Sequence, residues 1–176
     1  MARLTDVLLL VIAAAAFLAS APHHASATEQ FTFSYAGGGV IGEGVLNAEL
    51  IGPGEWLATS GWDRTSGGPI SGTLALVPNP NAPNEAYSPS GYFIYDNLLL
   101  PQSDPLIENG GLVFSNGTGG EINLFSYGPD NYTHYDNTGF NVPITFDPSA
   151  VPEPASLALF GTGLLGLRLL RRRHAI

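Results

Sequence analysis

The sequence predicts an all-β domain, either an antiparallel sandwich or a barrel-like closed sheet, and three observations carry that prediction. Apolar and polar residues alternate with period two in short runs, as in QFTFSYA, where Phe31, Phe33 and Tyr35 fall on one face and Gln30, Thr32 and Ser34 on the other. The runs are separated by turn chemistry drawn from 22 glycines and 14 prolines in 176 residues. Only 12% of residues are charged while 44% are hydrophobic, which is enough apolar content for a packed core and argues against a disordered chain. This length accommodates one domain plus terminal segments.

Taken in order, residues 1–27 read as a secretory signal peptide. Arg3 precedes an apolar run from Val7 to about Leu18, too short for the ~20 residues of a spanning helix. Ala25 and Ala27 then supply small residues at the two positions a signal peptidase inspects, so cleavage is expected before Thr28.

Residues 28–150 form the expected β-rich domain. After QFTFSYA, strands are expected in GVLNAELIG, EWLATSGW, ISGTLALV, GYFIYDNLLL, GLVFSN, EINLFSY and VPITF, about eight in all. EWLATSGW and ISGTLALV read as a hairpin turning through DRTSGG. The longest loop, PNPNAPNEAYSPSG from Pro78 to Gly91, reads as an insertion or a lid, because the strand pattern resumes directly after it. No fixed period recurs, which disfavours propellers and solenoids.

Charge and composition exclude several functions. Residues 28–150 hold 13 acidic residues and a single arginine, Arg64, for a formal charge of −12. Nucleic-acid binding needs clustered basic side chains to neutralise phosphates, so nucleic acid is not an expected partner. Cysteine is absent, which removes disulfides, thiolate metal sites and a cysteine nucleophile. His134 is the one histidine of this region; without a nucleophile-elbow pattern around it, it is expected on the surface or an edge strand. No catalytic residue, cofactor or metal site is expected. A weak calcium site is the nearest candidate, with Asp130 and Asp136 in DNYTHYDNTG as oxygen ligands, although turn capping explains such residues as well and the spacing is not that of an EF-hand. The aromatic residues are expected mostly in the core, with Tyr132 and Tyr135 as the surface pair able to stack on sugar rings.

Residues 151–176, VPEPASLALFGTGLLGLRLLRRRHAI, carry the most specific signal. Pro152, Glu153 and Pro154 precede an apolar stretch expected to be a transmembrane helix at about 155–170. Sixteen residues give only ~24 Å of helix against a ~30 Å hydrocarbon core. Arg168, Arg171, Arg172 and Arg173 close it and would stay cytoplasmic by the positive-inside rule, leaving the β-rich domain outside. The prolines deny a helical start before Ala155 and hold Glu153 in an extended segment.

The triplet, the glycine-containing apolar run and the arginine cluster at 168–173 together resemble the PEP-CTERM sorting signal of Gram-negative bacteria. The resemblance implies recognition and processing near the triplet by exosortase, a membrane-embedded transpeptidase, and delivery to the cell surface, outer envelope or extracellular matrix after transient anchoring in the inner membrane. It implies nothing about the chemistry of residues 28–150. The expected function is therefore non-enzymatic: a structural or adhesive component of an exopolysaccharide or biofilm matrix. The alternatives are a calcium-dependent carbohydrate-binding module or a small secreted glycan-active enzyme. Expected partners are exosortase, signal peptidase, the membrane through the C-terminal helix, and extracellular polysaccharide.

Overall fold

The computed structural model describes residues 27–151. The expected signal peptide up to Ser26, and the tail from Pro152 with its expected helix and arginine cluster, lie outside the described residues. Among the described residues there is no helix, and so none long and apolar enough to cross a membrane.

The strands are β1 (Thr28–Gly37), β2 (Val40–Gly52), β3 (Glu55–Ser66), β4 (Gly72–Leu76), β5 (Ala86–Tyr87), β6 (Ile94–Tyr95), β7 (Leu98–Leu99), β8 (Leu112–Ser115), β9 (Glu121–Ser126), β10 (Tyr132–Asp136) and β11 (Asn141–Ala150). Eight of them close into an antiparallel barrel in the order β2-β1-β11-β10-β9-β8-β4-β3, with β3 returning to β2. Of the two expected architectures, the barrel is the one formed. Closure gives every wall strand a neighbour on both sides, so none is a free sheet edge for another chain to extend. β7 adds to the stretch of β3 that β4 does not reach, pairing Trp56 with Leu99 and Leu57 with Leu98.

Alternation fills the interior. Phe31, Phe33, Tyr35, Leu46, Leu74, Leu112, Phe114, Leu124, Ile144 and Phe146 are all buried in one cluster. Two glycines of β2 make room for the large rings of β1: Gly42 pairs with Tyr35 and Gly44 with Phe33. A Cβ on Gly42 would run into the Tyr35 ring, and one on Gly44 into the Phe33 ring and the Trp62 carbonyl. Glycine here exchanges strand propensity for the close approach of an aromatic neighbour.

Residues 77–111 leave the barrel wall and return over its outside. They bring Ala86, Phe93 and Tyr95 against Val113 to form a second small core, with Val77 and Tyr135 packed on it. Asn97, at φ 62°, ties this excursion down: its Nδ2 donates to the Val77 carbonyl at 2.8 Å and its Oδ1 accepts from the Val113 amide at 3.3 Å. The wall beneath is covered on both faces, so every residue of β9 is buried, and strict alternation disappears there.

Two expectations about strands need correction. GYFIYDNLLL is not one strand but β6 and β7, broken at Asp96-Asn97 by the left-handed conformation of Asn97. DNYTHYDNTG, in which no strand was expected, contains β10, with Asp130 and Asn131 in the turn before it and Asp136, its last residue, capping the turn after it.

Candidate functional site

Three features merit attention: the end of the barrel where both chain termini emerge, the uncovered outer face, and a polar group inside the lumen.

The first and last wall strands are neighbours. β1 pairs with β11 from Phe31↔Ala150 to Ala36↔Thr145, and the Val151 amide donates to the Gln30 carbonyl at 2.8 Å. Ala27, at the expected signal-peptide junction, accepts from the Leu50 amide at 2.9 Å, and Thr28 opens β1 opposite Glu49. The expected cleavage point and the residue preceding Pro152 therefore leave from the same end of the barrel, Ala27 roughly 10 Å nearer the β2–β3 turn than Val151. Pro152, Glu153, Pro154, Ala25 and the four tail arginines lie outside the described residues.

The outer face of β11, β1, β2 and β3 is free of the 77–111 excursion. Cross-strand register sets Ser149, Thr32, Val45 and Trp62 in one row and Asp147, Ser34, Glu43 and Arg64 in the next. A shallow groove of about 360 Å³ runs among them, lined by Thr32, Ser34, Glu43, Trp62, Asp147 and Ser149. A second hollow of about 360 Å³ continues it past Ile41 and Arg64, and a third of about 490 Å³ continues it from Trp62 toward Pro89 and Asn116. Trp62 is 39% exposed at the junction of the first and third.

Trp62 points outward because of a bulge. In the β2–β3 register Asn47 faces Ser60 but Ala48 faces Ala58, so one extra residue enters β3. Ala58 points inward, and without the bulge so would Trp62; the inserted residue reverses the phase, turning Gly61, Asp63 and Thr65 inward and Trp62 out. Trp62 is therefore one of the aromatic residues that stand outside the core.

The same reversal buries a carboxyl. Asp63 is fully buried; its Oδ2 accepts from the Tyr35 hydroxyl at 2.9 Å and its Oδ1 has no hydrogen-bond partner. Burial pushes the Asp63 carboxyl up to about 7, with the Tyr35 hydrogen bond pulling it partly back. Burial, and then the Asp63 charge, push the Tyr35 hydroxyl up as well. The ring of His134 lies 5.9 Å from that of Tyr35, fully buried, with neither ring nitrogen hydrogen-bonded to protein. Burial pushes its pKa down, partly opposed by the charge of Asp136. His134 is thus a lumen residue of a wall strand, and the surface or edge-strand expectation is overturned: β10 lies between β9 and β11, and its inward phase includes position 134. The closure that makes one face of β10 a lumen was not legible in the sequence.

The weak calcium candidates are not brought together. Asp130 is exposed in the turn before β10, at φ 55°, with its amide donating to Asp104 Oδ1 at 3.3 Å. Asp136 ends β10, and its Oδ1 accepts from the Thr138 amide and hydroxyl and the Phe140 amide, capping the turn into β11. A strand rise of ~3.3 Å per residue puts the two roughly 20 Å apart. Among the described residues no group of three or more metal-ligating side chains could hold an ion. Of the expected surface tyrosines, Tyr132 is buried, its hydroxyl accepting from the Leu106 amide at 2.9 Å. Tyr135 is half-buried and shares a 2.7 Å hydroxyl contact with exposed Tyr92.

Comparison with known proteins bears on the tail. Residues 150–173 match the PEP-CTERM protein-sorting motif. The match begins at the last residue of β11, so the sorting motif follows the barrel wall without an intervening linker. The PEP-CTERM motif supports an exported, membrane-transiting protein that exosortase processes. No curated protein and no solved structure matches the chain.

Proposed function

We propose that the barrel is a non-catalytic adhesive or structural component of the cell surface or extracellular matrix of a Gram-negative bacterium, holding neutral polysaccharide on its uncovered outer face. The observation that carries this reading is the track of connected hollows centred on Trp62. An exposed indole offers a flat apolar surface to the C–H face of a sugar ring, while Thr32, Ser34, Ser149, Glu43 and Asp147 supply short donors and acceptors for its hydroxyls. A formal charge of −12 over residues 28–150 argues against acidic polymers and for neutral ones. The test is retention on gels containing neutral glucans or galactans. Trp62→Ala is expected to abolish retardation, and EDTA to leave it unchanged because Asp130 and Asp136 stand at opposite ends of β10. Equal mobility of Trp62→Ala and the native chain in every polymer that retards the latter would refute it.

The rival reading, a small glycan-active enzyme, draws on Glu43 and Asp147 lining the same groove. Each pairs with Ser34 from opposite sides, which sets their Cα atoms two strand spacings, or roughly 10 Å, apart. That reading requires reducing ends released from a polysaccharide and their loss in Glu43→Gln; the adhesive reading requires none.

A further inference from the structure

Beyond Trp62 the track changes character. The groove on one side of the indole is lined by Glu43 and Asp147 together with Thr32, Ser34 and Ser149, whereas no charged side chain lines the hollow of about 490 Å³ on the other. The floor of that hollow is a row of outward-facing residues, Trp62 on β3, Ala75 on β4 and Ser115 on β8, each the cross-strand partner of the next. Leu74, Leu76 and Phe114, in the opposite phase, lie in the core. The side wall is the 77–111 excursion, through Val77, Pro78 and Pro89. That wall is held in place: the Pro78 carbonyl accepts from the Tyr95 hydroxyl at 2.8 Å, and Ser90, next to Pro89, is tied to Glu121 by its amide and its hydroxyl. Ser115 Oγ accepts from the Gly117 amide at 3.1 Å, and its own proton has no acceptor among the described residues.

From this asymmetry, and resting on the reading that the Trp62 face holds neutral polysaccharide, we infer that the hollow takes the acetyl groups of that polymer, which is therefore an N- or O-acetylated one. An acetyl group joins a methyl to a carbonyl, and the hollow offers a match for each: Ala75, Val77, Pro78 and Pro89 for the methyl, the Ser115 hydroxyl for the carbonyl oxygen. A free amine or a carboxylate at the same place on the sugar would lose hydration here without meeting a counter-charge, a cost that the neutral acetyl group avoids. An unsubstituted hydroxyl would leave the apolar wall facing water. The spacing suits one sugar and its substituent. Ala75 stands one strand spacing from Trp62 and Ser115 two, roughly 10 Å in all. A pyranose stacked on the indole, with an acetyl arm on its ring, covers that span. The carboxylates of the opposite groove then face the unsubstituted hydroxyls of the neighbouring sugars, for which they are acceptors.

Matched probes separate the acetyl group from the rest of the sugar. Chitohexaose and cellohexaose share one backbone and differ in carrying an acetamido group or a hydroxyl; an O-acetylated glucomannan and the same polymer after alkaline deacetylation make the equivalent pair for the ester. Binding to the full-length protein, kept in a detergent that contains no sugar, is measured by calorimetry for the oligosaccharides and by retardation in gels for the polymers. The acetylated member of one pair or both is expected to bind about tenfold more tightly or better, the scale of one apolar group in a fitted pocket, and the pair that shows the preference tells whether nitrogen or oxygen carries the group. Ala75→Leu, which fills the floor, is expected to bring the two members within about threefold of each other. Native affinities that agree within about twofold in both pairs, while Trp62→Ala still abolishes binding, overturn the acetyl site and leave the neutral-polysaccharide reading standing. A preference that survives Ala75→Leu unchanged overturns the placement of the acetyl group in this hollow. Binding that Trp62→Ala leaves intact, or no binding to any of the four probes, overturns both.

Discussion

Replacing the buried Asp63 by asparagine tests the lumen energetics most directly. Its carboxyl is fully buried with one partner, the Tyr35 hydroxyl, and burial raises it from 3.8 to about 7. A raised folded-state value means that folding favours the protonated acid: the stabilising contribution is complete below about pH 4 and is lost as pH rises through about 7. The difference of roughly three pH units, at ~1.4 kcal/mol each, amounts to about 4 kcal/mol between the two limits. Asparagine keeps an oxygen for the Tyr35 hydroxyl and never ionises. Asp63→Asn is therefore expected to match the native chain near pH 4 and to exceed its stability by up to about 4 kcal/mol at pH 8. Urea unfolding followed by tryptophan fluorescence from pH 4 to 9 measures this. His134 works in the opposite sense, because its lowered pKa removes stability as pH falls below about 6.5, and taking the difference between native and variant chains cancels it. A native-minus-variant difference that stays constant from pH 4 to 9, or a variant less stable at pH 8, would refute the assignment.

Other expectations concern packing and processing. Gly44→Ala should cost at least 2 kcal/mol by the same unfolding assay, since its Cβ meets the Phe33 ring and the Trp62 carbonyl, whereas Gly117→Ala, whose Cβ meets nothing, is limited to the ~1 kcal/mol of its positive φ. Ser90 holds the 77–111 excursion to the buried Glu121 through its amide at 2.9 Å and its hydroxyl at 2.6 Å; Ser90→Ala should cost about 1–3 kcal/mol and speed proteolysis between Pro78 and Gly91 several-fold. Mature protein recovered from its host should have a mass lacking Arg168 to Arg173, as processing at the PEP-CTERM motif requires, and an intact C-terminus would rule that processing out.

The reach of the sequence differed from region to region for physical reasons. Local patterns specify local structure, so QFTFSYA read as a strand and β1 contains it, and the PEP-CTERM tail was legible because it works as a linear signal. β10 escaped because Asp130, Asn131, Asp136 and Asn137 mark the turns around it, and because four of its five residues are buried and Tyr135 is half-buried, which blurs any alternation between core and solvent. The 77–111 excursion was recognisable as an insertion, but the surface it covers depends on contacts between Phe93, Tyr95 and Val113 that no local pattern encodes.

By itself, then, the sequence determined the strand-and-turn character of the chain, the acidity that excludes nucleic acid, and the sorting motif at its end, because each follows from composition or from residues adjacent in the chain. Tertiary structure alone decided that β1 closes on β11, setting Ala27 and Val151 at the same end of the barrel, and that a single bulge in β3 turns Trp62 outward and Asp63 inward. Those outcomes depend on register between strands far apart in the chain, where one residue of slip exchanges the two faces of a strand.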